Sequence, residues 1–322
     1  MSFFRSGHSW QRENDTNTKH HVISDPLAII CNEGLWRISK VSPLYNLQYN
    51  KVKLKQYASK VRQGLVSAVS SNSSTKYKVE FEEQVNMKYS EDDANGLMIK
   101  VFTSTHESSK DKTVYLALLL SWGVSCSLDT ATHLPYMLDR GNQSIGNTVK
   151  STLETIFDCS IKQFLFTQRQ LLHFVFEFAE HDTSKNTEPV TLMYGISQVD
   201  NKEKPRDNKE KLRVLFELED VKIIWNGIKD EDAKKSDLVT IGYQILQTQI
   251  FHMLMLDISV LDLCEVKLPK TEVKKNGIIK MKTPELVNCL FTGLNEISDI
   301  YTERNLSNAS DNSSKSVSDN SV

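Results

Sequence analysis

Apolar residues return every three or four positions from about Val52 to Val69, where Leu54, Ala58, Val61, Leu65 and Ala68 share one face and predict a helix. Alternation follows. Val79, Phe81 and Val85 keep one parity in Tyr77–Val85, Leu97–Thr103 comes next, and Thr113–Trp122 is apolar almost throughout, as a strand covered on both faces would be. Ser144 is placed to cap a helix carrying Ile145, Val149, Leu153 and Ile156. The Phe-rich segment Phe164–Phe178 fits two types. Leu172, Phe174, Phe176 and Phe178 alternate like a strand, while Leu171, Phe174 and Phe178 also suit a helix.

Val190–Val199 and Leu212–Leu218 flank a charged stretch and predict an antiparallel hairpin. Val239, Tyr243, Leu246, Ile250 and Met253 then give a helix over about Ser236–Leu254. In Leu256–Leu268 the parity slips between Leu256, Ile258 and Val260 on one side and Leu261 and Leu263 on the other. A strand with a bulge near Val260 is the expectation. Asn276-Gly277 marks a turn into Ile278–Lys282, and Thr283 with Pro284 opens a last helix carrying Leu286, Leu290, Leu294, Ile297 and Tyr301. Hairpin-linked strands interrupted by helices predict an α+β fold, a largely antiparallel sheet backed by helices.

Ser70–Lys76, Ser104–Lys112 and Asp200–Lys211 read as loops, and residues 1–25 and 304–322 as a disordered arm and a disordered Ser/Asn-rich tail. The folded part is then 26–303, as one composite domain or two packed lobes of about 26–185 and 186–303. With 322 residues and 39% hydrophobic content the chain can bury a sizeable core. A formal net charge of -2 excludes coating of nucleic acid by bulk charge but leaves a local basic face open. Such a face is available: on the first helix Lys51, Lys55 and Arg62 fall within about 40° of one another. It reads either as a solvated flank or as a DNA contact. The five cysteines are scattered without a Cys-x-x-Cys pair, which signals neither zinc nor a disulfide framework and fits buried thiols in a reducing compartment. No apolar stretch opens the chain, and Val114–Leu120 is too short to span a bilayer, so an intracellular protein with no membrane partner is expected.

Tests for chemistry return little. Gly141–Thr148 has the glycine spacing of a phosphate loop, but Asn147 stands where that loop needs lysine. No Gly-x-Ser-x-Gly or His-Glu-x-x-His motif occurs. His20 and His21 read as solvated, His173 and His252 as core or rim residues, and Trp36, Trp122 and Trp225 as core. Asp92-Asp93 and Glu82-Glu83 are paired only in sequence, since neighbours along an extended chain point apart. The expectation is a non-enzymatic protein with no cofactor, metal or small-molecule substrate. A generic interaction adaptor and a degenerate nucleotide-binding enzyme are the other readings.

Trp36–Tyr57 is more specific. Ser42-Pro43-Leu44-Tyr45, and Leu54-Lys55-Gln56-Tyr57 opening a helix, resemble the start of the centromere protein L family of the inner kinetochore. Leu134-Pro135 with Gly141 and the later Phe157-Asp158-Cys159 are similar to further blocks of that family. So are Trp225 and Asn276-Gly277-Ile278-Ile279-Lys280, and the resemblance covers roughly 28–301. The N-terminus, the 190–211 hairpin and the tail depart from the pattern. The resemblance implies a curved, largely antiparallel sheet and a heterodimer with centromere protein N. It also implies centromere protein C and other inner-kinetochore subunits as neighbours, linker DNA beside the pair, and residence at the kinetochore on the centromere in the nucleus. On that basis Leu256–Lys282 is expected to present a sheet edge to the partner, with contacts from Ile258, Val260, Leu261, Leu263 and Ile279. Lys51, Lys55 and Arg62 are the expected DNA contacts.

Overall fold

A computed structural model describes residues 27–32, 34–69, 76–105, 108–123, 130–182, 188–196, 211–229 and 235–296. The two terminal segments and all but the last residue of the Asp200–Lys211 stretch expected to be loop lie outside them. The organising element is one sheet of eleven strands whose described pairings are all antiparallel. Its order runs β10 (Lys211–Phe216), β9 (Val190–Gly195), β11 (Asp262–Leu268), β12 (Thr271–Lys274), β13 (Ile278–Met281), β1 (Leu35–Val41), β7 (Tyr136–Gly141), β5 (Ser108–Leu120), β4 (Gly96–Thr105) and β3 (Lys76–Gln84). A short β8 (Ile161–Gln163) also pairs with β1, and β2 (Leu44–Tyr45) with β6 (Ala131–Thr132). The chain halves on either side of residue 185 therefore share one sheet.

Side chains of successive strand residues point to opposite faces, and this sheet uses both. Tyr115, Ala117 and Leu119 of β5 enter one core, under α2 (Lys51–Val69) and α3 (Gln143–Phe157). Leu116, Leu118 and Leu120 enter the other, under α4 (Gln168–His181), α5 (Leu218–Ile228), α6 (Lys235–Leu254) and the last helix α7 at 284–296. α1 (Ala28–Asn32) packs at the β13 end. The apolar run Val114–Leu120 is thus apolar because both of its faces are covered, and Trp36, Trp122 and Trp225 are core residues.

Several boundaries differ from the pattern reading, each for a local reason. Phe164–Phe178 resolves as helix over Gln168–His181: Thr167 accepts from the Gln170 N–H, and the Gln170 side chain accepts from the Thr167 N–H. α4 is buried on every side from Leu171 to Ala179, so no polar face revealed its period. The cap of α3 is Asn142 rather than Ser144, because the Asn142 side-chain oxygen Oδ1 accepts from the N–H of Ser144 and of Ile145. The strands flanking the Ser104–Lys112 stretch run through it to Thr105 and from Ser108. The last long strand starts only at Asp262, and its irregularity lies between Leu263 and Glu265, not near Val260.

Asp93 organises the turn that joins β3 to β4. Its buried carboxylate accepts from the N–H of Gly123 (2.9 Å), Tyr89 (3.0 Å) and Ser90 (3.3 Å) and from the Ser90 hydroxyl (3.1 Å). Burial alone would raise its pKa, but these donors outweigh it and hold the group below the ordinary Asp value. A carboxylate depressed in the folded state stabilises above its unfolded pKa and loses that contribution as pH falls through the folded value. The urea midpoint is therefore expected to drop between about pH 5 and pH 3, and to drop less in Asp93→Asn. Equal slopes in the two proteins would show that Asp93 carries none of this dependence.

Candidate partner and nucleic-acid interfaces

Among the described residues both ends of the sheet are open. β3 is guarded by Lys78, Glu80 and Glu82, with Lys78 on Glu80 at 2.9 Å and Lys100 of β4 on Glu82 at 3.2 Å. Alternating charge of this kind discourages strand addition. β10 presents exposed Lys211, Arg213 and Leu215.

The C-terminal hairpin has no such opening, which corrects the expectation of a templating edge at Leu256–Lys282. β11 is paired with β9 and β12, and β13 with β12 and β1. Ile258, Leu263 and Ile279 are core residues and Leu261 packs half-buried against them. Of the five expected contact residues only Val260 is exposed, at 78%.

Val260 closes an apolar patch that pattern reading passed over. α6 ends at Leu254, and Met255 takes a left-handed backbone with φ 53 while its N–H donates to the Phe251 carbonyl at 2.7 Å. The next turn is held by Asp257, whose carboxylate accepts from the Ser259 N–H at 2.8 Å. The chain thereby exposes Phe251, Met253, Leu254, Met255, Leu256 and Val260, with Met255 at 76%. Single exposed apolar residues are ordinary, but six of them within ten positions are not, and methionine adapts well to a partner's shape. The helical period concealed it. Met253 continues the spacing of Val239, Tyr243, Leu246 and Ile250, yet those four are buried and Met253 has passed beyond the core.

The basic stripe is where the helical period placed it. Lys51, Lys55 and Arg62 are exposed on α2, and among the described residues none of them is paired with an acid. α2 contains Lys53 and Lys60 as well and no acidic residue. Tyr57, Val61 and Leu65 anchor its opposite side in the core, and Gly64 lets it approach α3 closely, since a Cβ there would stand 2.7 Å from the Thr152 hydroxyl. The charges thus sit on a rigid mount.

The Gly141–Thr148 segment does not form a phosphate cradle. Gly141 turns the chain at φ 102 against the Val114 carbonyl, and Gly146 lies in α3 where a Cβ would meet the Tyr115 ring at 2.8 Å. Packing accounts for both glycines. His252 is exposed, and His20 and His21 lie outside the described residues. Cys31, Cys159, Cys264 and Cys289 are half-buried rather than fully buried. Among the described residues no helix is long and apolar enough to cross a membrane.

The blocks that carry the family resemblance now have positions. Tyr57 donates its hydroxyl hydrogen to the Asn46 carbonyl at 3.1 Å and accepts from the Gln48 N–H, tying α2 to the segment after β2. Asp158 of Phe157-Asp158-Cys159 ends α3 in a left-handed conformation, and Asn276-Gly277 turns β12 into β13. The profile of the family described as centromere protein L matches residues 33–319. The chain belongs to the centromere protein L family.

The match runs through the 190–211 hairpin and most of the tail, segments that read as departures when short blocks alone were compared. A search of curated proteins finds no match. The centromere protein L family is a structural family of the kinetochore, not known for catalysis. Its members belong to the centromere and kinetochore in the nucleus, serve chromosome segregation and work among inner-kinetochore subunits.

Proposed function

We propose that this chain is a non-enzymatic scaffold subunit of the inner kinetochore that pairs with centromere protein N and helps anchor the kinetochore on centromeric chromatin. The patch from Phe251 to Val260 supports this reading most directly, because a monomer gains nothing from holding six large apolar side chains in water. It takes over the role first expected of the C-terminal hairpin edge and lies immediately before β11 in the chain. Centromere protein C and the remaining inner-kinetochore subunits are further neighbours, with linker DNA running past α2.

Met253→Asp combined with Met255→Asp tests the patch. Both side chains are exposed, so folding should survive and circular dichroism should be unchanged. Pull-down of centromere protein N is expected to fall at least about tenfold, the effect of losing about 1.4 kcal/mol of binding. Unchanged capture by a folded double variant would remove the patch from the interface.

The stripe on α2 makes a separate prediction. Each phosphate contact contributes about 0.9 to the slope of log affinity against log salt. Charge reversal at Lys51, Lys55 and Arg62 together is expected to reduce that slope for the heterodimer by about 2–3. An unchanged slope would mean that the stripe is solvated surface only.

A further inference from the structure

The two cores meet functional needs already described, but one polar cluster inside the second core does not. His173 and Glu177 stand one turn apart on α4, both almost fully buried, and Glu296 reaches them from the last described turn of α7. One donor atom from each lies within 4.8 Å of the other two, and His173 Nε2 is 3.5 Å from Glu296 Oε2. Ligands about 2.0–2.1 Å from a tetrahedral zinc ion lie about 3.3 Å apart. The imidazole and the Glu296 carboxylate are therefore almost at coordinating separation, and Glu177 closes the triangle with a small side-chain shift.

Two independent features point the same way. Gly293 sits inside α7, where glycine weakens a helix by about 1 kcal/mol relative to alanine. A Cβ there would stand 3.0 Å from His173 Nδ1 and 3.3 Å from Cε1. The glycine lets the α7 backbone close over the imidazole, whose Nε2 faces the Glu296 carboxylate. In addition, a small cavity of about 10 Å³, lined in part by Gln170, His173, Cys289 and Gly293, lies beside the ring. Its size matches about one water next to the imidazole.

We infer that His173, Glu177 and Glu296 form a binding site for one divalent transition-metal cation of the zinc class, which clamps α7 to α4. One imidazole and two carboxylates are a nitrogen and oxygen donor set suited to Zn²⁺, Co²⁺ or Mn²⁺. The site has a structural role here, since the cation would bridge a helix from the middle of the chain to the last described one.

The test uses the full chain, stripped with chelator and titrated with Zn²⁺ and with Co²⁺ as a spectroscopic probe. One ion per chain is expected, with visible cobalt bands and no thiolate charge-transfer band. Melting should rise with added metal, because a ligand that binds only the folded state stabilises it. Glu296→Gln and His173→Gln are each expected to weaken binding at least tenfold, and Gly293→Ala to weaken it by displacing the ring. His20→Ala with His21→Ala should leave it unchanged. Glu296 is partly exposed, so Glu296→Gln remains informative even if His173→Gln fails to fold. Absence of stoichiometric binding, equal binding by Glu296→Gln, or a thiolate band abolished by Cys289→Ser would each overturn the assignment.

Discussion

Asp139→Ala is expected to destabilise the protein by about 3 kcal/mol, the lower end of what removing one partner of a buried ion pair costs. Asp139 is 1% exposed in β7 and sits between two cations. Arg37 of β1 donates to Oδ2 from Nε at 2.9 Å and from Nη2 at 2.6 Å, and Lys150 of α3 stands 2.7 Å from Oδ1. Lys150 also donates to the Ser39 hydroxyl at 2.9 Å. Burial and the neighbouring Asp139 carboxylate together push the Tyr115 phenol well above its ordinary pKa, so the phenol stays neutral beside the cluster. Alanine would strand both cations against a core with no acid. Arg37 and Lys150 retain some access to water, which is why the lower end of the range applies. Asp139→Asn keeps an acceptor and should cost less. Asp139→Leu with Arg37→Met and Lys150→Met should recover much of the loss, because apolar replacements of all three partners leave no stranded charge. Urea midpoints at unchanged slope measure all three. A loss below about 1 kcal/mol in Asp139→Ala would show that the cations relax freely into solvent.

Gly277→Ala carries the second large effect, about 2–4 kcal/mol of destabilisation. Gly277 holds φ 81 in the turn between β12 and β13, where a side chain is strained whatever the space. There is no space either: a Cβ would stand 2.4 Å from the Phe164 carbonyl oxygen and 3.2 Å from that of Ile38. Both obstacles are backbone, and the turn is tied down further because the Gly277 carbonyl accepts from the Ile38 N–H at 2.8 Å. Gly227→Ala gives the opposite sign. It lies near the end of α5 with nothing within 4 Å of its added Cβ, so reduced freedom of the unfolded chain should stabilise by about 0.4–1 kcal/mol. Equal effects at the two glycines would mean that backbone conformation, not sequence position, has been misjudged at one of them.

How far these features could be read from sequence depended on range. α2 and α6 were legible because their apolar stripes contact the core from one side only. Even so, Tyr57 is buried where the pattern gave it no weight, and Ala68 is exposed where the pattern counted it inside. α4 was ambiguous because burial on all sides erases periodicity, although Thr167 and Gln170 stood in the sequence as a capping signal. The hairpin at Asn276-Gly277 followed from turn chemistry alone. Its neighbours did not, since the pairing of Trp36 with Ile279 joins residues from opposite ends of the fold. That pairing, together with the pairing of β11 with β9, turned an expected edge into sheet interior and moved the candidate partner surface to Phe251–Val260. The juxtaposition of His173 with Glu296 was invisible for the same reason.

The place of β1 also constrains how the molecule is made. It is among the first elements to leave the ribosome, yet one of its sheet neighbours, β13, is among the last. A nascent chain consequently carries β1 with its hydrogen-bonding edge toward β13 unfilled while most of the protein is synthesised, and closure of the central seam waits for Ile278–Met281. Long-range pairing of this kind folds slowly and leaves unfilled edges open to aggregation. Premature termination ahead of that strand should therefore yield insoluble fragments rather than a smaller working domain.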